Sequence, residues 1–138
     1  PLLGEVGERL CSAGLVDRAW LPGVRSDVAD ILRSLDCFVL PSLAEGISNT
    51  ILEAMASGLP VISTTISGIP ELVEDGLNGR LIEPGDPELL GDAIVELLAD
   101  AARQERFASA GRHKVEREFN IRVEAGRLLD HFGKACNA

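Results

Sequence analysis

The short apolar runs along the 138 residues constrain the fold more than any other feature. Cys37-Phe38-Val39-Leu40 is continuously apolar and is stopped by Pro41, and the similar runs Val61-Ile62-Ser63-Thr64 and Arg80-Leu81-Ile82 follow it. Such runs suit strands of a parallel sheet, so Cys37 to Leu40 is expected to be buried on both faces. Between the first two runs, Ile51, Leu52, Ala54 and Met55 fit a helix that closes at Gly58 and Pro60. After the third, Asp86-Pro87 pairs an N-cap residue with proline at the first helical position, opening an amphipathic stretch over 89–98. Connections this long exclude hairpins and require right-handed crossovers. The expected fold class is α/β, a Rossmann-like parallel sheet with helices on both faces.

The remaining segments fit the same scheme. Val6, Leu10 and Ala13 share a helical face that ends at Gly14. Ala19-Trp20-Leu21-Pro22 is a short strand-like run in which Trp20, a lone aromatic, is expected in the core rather than stacked on a base. Asp27 can cap a helix carrying Val28, Ile31, Leu32 and Leu35. Pro70 opens a short helix, and Asp75-Gly76-Leu77-Asn78-Gly79 turns the chain into the third run. Two further helices are predicted over 103–118 and 122–134. With no linker or repeat, residues 1–138 read as one domain with C-terminal helices over about 101–136.

Composition removes several classes of function. A hydrophobic share of 46% and a charged share of 25% fit a folded domain, and no apolar run approaches the roughly 20 residues that cross a bilayer. The formal charge of −9 argues against duplex DNA or anionic lipid as the main partner. Cys11, Cys37 and Cys136 are odd in number and far apart, which points to free thiols in a reducing, cytoplasmic compartment. The chain opens on Pro1 without a methionine and is read as a piece of a longer protein.

In open parallel sheets a ligand lies outside the carboxyl ends of the strands. Three loops are expected there, carrying Gly23-Val24-Arg25-Ser26, residues 42–49 and Thr65-Ile66-Ser67-Gly68. The second is the most informative: Pro41-Ser42-Leu43-Ala44-Glu45-Gly46-Ile47-Ser48-Asn49-Thr50-Ile51-Leu52-Glu53. Glu45 falls in the loop and Glu53 about one turn into the next helix, so both carboxylates can face one crevice. A carboxylate accepts hydrogen bonds from two hydroxyls at once, which suits the vicinal diols of a ribose or a hexose. The amides over 48–51 begin a helix and are free to hold a diphosphate, and Gly46 lets that ligand approach the backbone. Thr50 with Glu53 three residues on also has the form of a capping box, which would make Glu53 a helix-start residue instead.

This string resembles the Glu-x7-Glu signature of the family-4 glycosyltransferases, which have the GT-B fold. Similar motifs follow in order: Leu21-Pro22-Gly23-Val24-Arg25-Ser26-Asp27-Val28, Ala56-Ser57-Gly58-Leu59-Pro60-Val61-Ile62, Gly68-Ile69-Pro70-Glu71-Leu72-Val73, Asp75-Gly76-Leu77-Asn78-Gly79 and Pro84-Gly85-Asp86-Pro87. The resemblance covers nearly the whole chain and identifies it with the C-terminal, donor-binding half of such an enzyme. Within the family the Glu45 to Glu53 string is similar to a bacterial subgroup tied to exopolysaccharide production.

The resemblance implies a role for each residue. Glu45 would bind the donor sugar and act at the catalytic centre, Glu53 would bind the ribose, and the loop and amides of Gly46, Ser48, Asn49, Thr50 and Ile51 the diphosphate. Gly23 and Arg25 fall at the base pocket, and Gly68 in the third loop. Ile47 and Ser48 depart from relatives that carry an aromatic and a Gly or Pro there, which bears on donor and acceptor preference. The donor would be a UDP-, GDP- or ADP-linked sugar and the acceptor a glycan or lipid-linked glycan held by an N-terminal domain. The family's basic diphosphate-binding pair would also lie upstream of Pro1, so residues 1–138 are expected not to catalyse transfer alone.

Transfer with retention at the anomeric carbon is implied, in the cytoplasm or at the inner membrane surface, with no metal and no other cofactor. The sequence has neither an Asp-x-Asp motif nor a His/Cys cluster. His113 and His131 read as surface or packing residues, and Arg103, Arg106, Arg112 and Arg117 alternate with acids on a solvated helix face rather than forming a nucleic-acid patch. Leu128, Leu129 and Phe132 are expected on a last helix that crosses to the other domain. Two other readings stand beside the transferase: a sugar-nucleotide epimerase of the same fold, and a catalytically silent nucleotide-binding or interaction domain. Hexose epimerases of this fold lack the close match over the Glu45 to Glu53 string.

Overall fold

The computed structural model describes residues 2–122 and 125–126. Helix α1 spans Leu2–Ser12, and a 3-10 turn at Val16–Arg18 leads to α2, Val28–Arg33. Then come β1 (Phe38–Leu40), α3 (Asn49–Ala56), β2 (Val61–Thr64), α4 (Ile69–Leu72), β3 (Arg80–Ile82), α5 (Pro87–Leu98) and α6 (Ala101–Glu118). The strands form one parallel sheet in the order β1-β2-β3, with Phe38 beside Val61, Leu40 beside Ser63, and Ile62 beside Arg80.

Alternation along β2 divides the core between the two faces of the sheet. Val61 packs with Leu32, Ile51, Met55, Ile69 and Leu72, whereas Ile62 packs with Ile82, Ala93, Leu97 and Phe107. Helices α3 and α4 therefore cover one face, and α5 with the first half of α6 the other. All four residues of β2 are buried. Each fully buried Val or Ile side chain contributes roughly 1.5–3 kcal/mol. The far half of α6 lies against α3, where Gly111 allows close approach: a Cβ there would stand 3.2 Å from Met55 Cγ.

Local signals explain the element ends. Asp86 accepts from the Leu89 amide at 2.9 Å and Asp100 from the Arg103 amide at 2.9 Å, which satisfies helix-start donors of α5 and α6. Gly58 ends α3 with φ +78, a conformation open to glycine. Buried Asn78 accepts from the Glu74 amide and donates to the Leu72 carbonyl, closing the turn before β3.

Four expectations are corrected. The Cys37 to Leu40 run packs against the core on both faces but is only half-buried rather than buried, because among the described residues β1 is an edge strand with β2 as its one neighbour. Ala19 to Pro22 is not a strand, since among the described residues no strand pairs with it, and Trp20 is 65% exposed rather than in the core. Asp27 occupies the N-cap position of α2 without capping any amide, because its carboxylate binds Arg25 instead. Of the four residues expected on the buried face of α2, only Leu32 is buried. The helix predicted over 122–134, with Leu128, Leu129, His131 and Phe132, lies almost wholly outside the described residues, as does Cys136.

Candidate donor-binding site

The loop from β1 to α3 is tied to the sheet before it reaches its first glutamate. Thr64 Oγ1 donates to the Ser42 carbonyl at 2.6 Å, and Ser42 Oγ donates to Glu45 Oε2 at 3.2 Å. Glu45 is half-buried. Gly46 has open space where a Cβ would be, so packing within the protein does not demand a glycine there. Across from it, a Cβ on Gly68 would stand 3.1 Å from the Gly46 carbonyl oxygen. Ser67, one residue before, has φ +43, a left-handed conformation uncommon outside glycine. Loops 42–48 and 65–68 thus meet backbone to backbone at the carboxyl ends of β1 and β2.

Helix α3 starts immediately beyond this junction. Its N-cap is Ser48, not Thr50, so Thr50 and Glu53 do not form the capping box that the spacing allowed. The Ser48 hydroxyl is 2.9 Å from the Thr50 hydroxyl and caps no amide. The first helical bond runs from the Leu52 amide to the Ser48 carbonyl, so the amides of Asn49, Thr50 and Ile51 precede the helix ladder. Ile51 is fully buried, backbone included, so of these three residues only Asn49 and Thr50 are exposed and the expected ligand contact at Ile51 is not met.

Glu53 is exposed on the same helix and lines an open cleft of about 440 Å³. Glu53, Ala56 and Ser57 form one wall, and Ser26, Val28 and Ala29 at the start of α2 face them. Glu45 is not among the residues lining this cleft. Glu45 therefore lies outside this cleft, in the loop that precedes the first turn of α3. A smaller cavity of about 180 Å³, lined by Arg80, Glu96, Arg103 and Phe107 among others, contains none of these residues. Both its arginines are paired, Arg80 with Asp75 and Arg103 with Asp100.

The first loop contributes differently from what its sequence suggested. Gly23 turns the chain with φ +69. Arg25 points to Asp27, Nε to Oδ1 at 2.8 Å, and its guanidinium carbon lies 5.9 Å from the centre of the Trp20 ring. Hydrogen bonding within the pair holds the Asp27 carboxyl below its ordinary value and lifts the Arg25 guanidinium above its own. It is Ser26, the next residue, that lines the cleft opposite Glu53. Sequence reasoning placed Ser26 and Ser42 in the crevice loops without giving either a role, and it missed Thr64. A hydroxyl in an otherwise apolar strand was the available signal for Thr64, because a buried hydroxyl needs a partner.

The profile of the family described as "Glycosyl transferases group 1" matches residues 3–100. The chain belongs to the group 1 glycosyl transferases. Its similar proteins include the lipopolysaccharide core biosynthesis mannosyltransferase LpsB of Rhizobium meliloti (strain 1021), 36% identical over 88% of this chain and 35% of that protein. The amylovoran biosynthesis glycosyltransferase AmsK of Erwinia amylovora is 38% identical over 77% of this chain and 28% of its own length. This group 1 chain thus spans about a third of the curated relatives it matches.

Solved structures agree on the fold. HepE of Anabaena in complex with UDP superposes with a TM-score of 0.89 at 27% identity, covering 96% of this chain and 36% of that one. The C-terminal domain of the group 1 protein LpcC from Francisella tularensis gives a TM-score of 0.74 at 29% identity, over 86% of this chain and 62% of that one. The group 1 domain described here has the C-terminal GT-B fold, as the ordered motifs implied.

Proposed function

We propose that residues 1–138 form the donor-binding domain of a retaining glycosyltransferase that moves a sugar from a nucleoside-diphosphate sugar to a growing cell-surface glycan. One observation carries the reading: two carboxylates flank the uncapped start of α3, Glu45 from the loop and Glu53 from the helix. Glu45 takes the sugar hydroxyls at the catalytic centre, and the amides of Asn49 and Thr50 take the diphosphate, with Gly46 and Ser48 leaving room for it. Glu53 takes the ribose, and the cleft facing Ser26 takes the base, with Gly23 and Arg25 shaping its rim and Gly68 bracing the loop that holds Glu45. The relatives add support, since HepE was crystallised with UDP and with UDP-glucose, and others are named for lipopolysaccharide core and amylovoran biosynthesis.

In the reaction the bond between the anomeric carbon and the diphosphate oxygen breaks with its electron pair on that oxygen. The acceptor hydroxyl attacks from the same face, its proton passes to the departing phosphate, and configuration is retained. The α3 amides stabilise the developing phosphate charge because they are already oriented toward it. The acceptor half and the basic groups on the diphosphate lie outside residues 1–138, so this domain binds donor without transferring sugar. The reading calls for no metal or other cofactor and places the enzyme in the cytoplasm at the inner membrane surface. Among the described residues no helix is long and apolar enough to cross a membrane.

Titrating the isotope-labelled domain with UDP, GDP and ADP tests the assignment. One of them is expected to shift the amides of Asn49, Thr50 and Glu53. Silence at these amides with all three overturns it. Glu53→Gln is expected to weaken nucleoside-diphosphate binding about tenfold, the order of one charge-assisted hydrogen bond, while Glu45→Gln leaves that affinity intact and slows transfer in the full-length enzyme. Equal losses of nucleotide affinity would count against separate roles.

A further inference from the structure

Two consecutive hydroxyls at the carboxyl end of β2 grip the chain that leads to Glu45. Ser63 Oγ donates to the Leu40 carbonyl at 2.8 Å, and Thr64 Oγ1 to the Ser42 carbonyl at 2.6 Å. The backbone register of β1 with β2 ends at Leu40 and Ser63, so the Thr64 bond extends the attachment beyond the ladder. Both hydroxyls are buried, where each would be costly without its partner. A valine at Thr64 would fill the same space and leave the Ser42 carbonyl untied. Ser42, held through its carbonyl, then donates its own hydroxyl to one oxygen of Glu45, and the other carboxylate oxygen has no such bond from Ser42.

We propose that Thr64 and Ser42 are positioning residues for Glu45: Thr64 anchors the Ser42 backbone, and the Ser42 hydroxyl orients the carboxylate toward the hydroxyls of the donor sugar. The inference rests on the reading of Glu45 as the sugar-binding group. It sets the sugar subsite apart from the nucleotide subsite, because the chain of bonds runs from Thr64 through Ser42 to Glu45 and includes neither α3 nor Glu53.

The test compares affinities of the full-length protein for UDP-glucose, UDP-galactose, GDP-mannose and ADP-glucose with those for UDP, GDP and ADP. Ser42→Ala and Thr64→Val are expected to weaken the nucleotide sugar that binds best about fivefold, with the matching nucleoside diphosphate unchanged. Ser42→Thr and Thr64→Ser, which keep the hydroxyls, should return the sugar-linked affinity to within about twofold of the parent. In a Glu45→Ala background, Ser42→Ala should cause no further loss, as expected of residues acting through one contact.

Equal loss of nucleotide and nucleotide-sugar affinity in Ser42→Ala, or a loss of full size in the Glu45→Ala background, overturns the positioning role. If Glu45→Ala weakens the nucleotide sugar and Ser42→Ala does not, the positioning role alone falls. If Glu45→Ala has no effect, or no nucleotide sugar binds, the reading of Glu45 falls and this inference with it.

Discussion

Residues 2–31 and residues 32–118 are comparably rich in apolar side chains, yet they use them in opposite ways. In the second region Ile51, Met55, Ile62, Ile69 and Leu97 are almost completely removed from water. In the first, Val6, Val16, Trp20 and Val24 are exposed, and no residue of described burial before Leu32 is buried. What differs is the presence of a second layer: α3, α4, α5 and α6 have a sheet to cover, whereas α1 and the segment Ala19 to Pro22 have no strand beside them among the described residues. Apolar content makes a core only where a partner surface exists to receive it.

That contrast can be broken by substitution. Ile62→Ala should cost about 2–5 kcal/mol in chemical denaturation, while Val24→Ala should stay within about 0.5 kcal/mol. A large loss at Val24 would mean that the first region is packed against a surface. A smaller effect separates two aspartates in equivalent helix positions. Asp86→Ala removes a real cap and should cost about 1 kcal/mol, whereas Asp27→Ala breaks only an exposed ion pair and should not measurably move the melting temperature.

The smallest difference lies in the cysteines. Cys11 is exposed in the first region; Cys37, beside β1, has its thiol raised above the ordinary 9.0, chiefly by burial and then by the negative charge of Asp36. The thiolate is the reactive form, so a raised value means less of it at any given alkaline pH. Alkylation near pH 9 should label Cys11 before Cys37, and the gap should close in denaturant. Since the protonated thiol is favoured in the fold, the stability it lends is complete below the ordinary thiol value and fades as pH rises through the folded one. Peptide mapping of the alkylated protein checks the order.

Much of the fold was legible in the residues. The runs before Pro41, after Pro60 and after Gly79 became β1, β2 and β3, and Asp86-Pro87 opened α5 with the cap the pair suggested. The order of motifs also identified the family, because several spaced motifs are jointly far more specific than one pair of glutamates. The candidate site was legible as a stretch of chain and not as a geometry. Spacing allowed a Thr50–Glu53 capping box, and the structure starts the helix from Ser48 instead. Arg25 falls at the expected base pocket by motif, yet its side chain binds Asp27 two residues away.

The sequence by itself determined the order of elements, their helical starts and stops, and the placing of Glu45 and Glu53 on either side of a helix start. These depend on backbone preferences and contacts within a turn or two of chain. Only the tertiary structure decided that β1 is an edge strand among the described residues, that Trp20 faces solvent, and that Glu53 lines the cleft opposite Ser26 while Glu45 does not. It alone joined Thr64 to Ser42, 22 residues away, and through Ser42 to Glu45. Burial and hydrogen-bond partnership across such separations depend on which surfaces the folded chain brings together, and no local pattern encodes them.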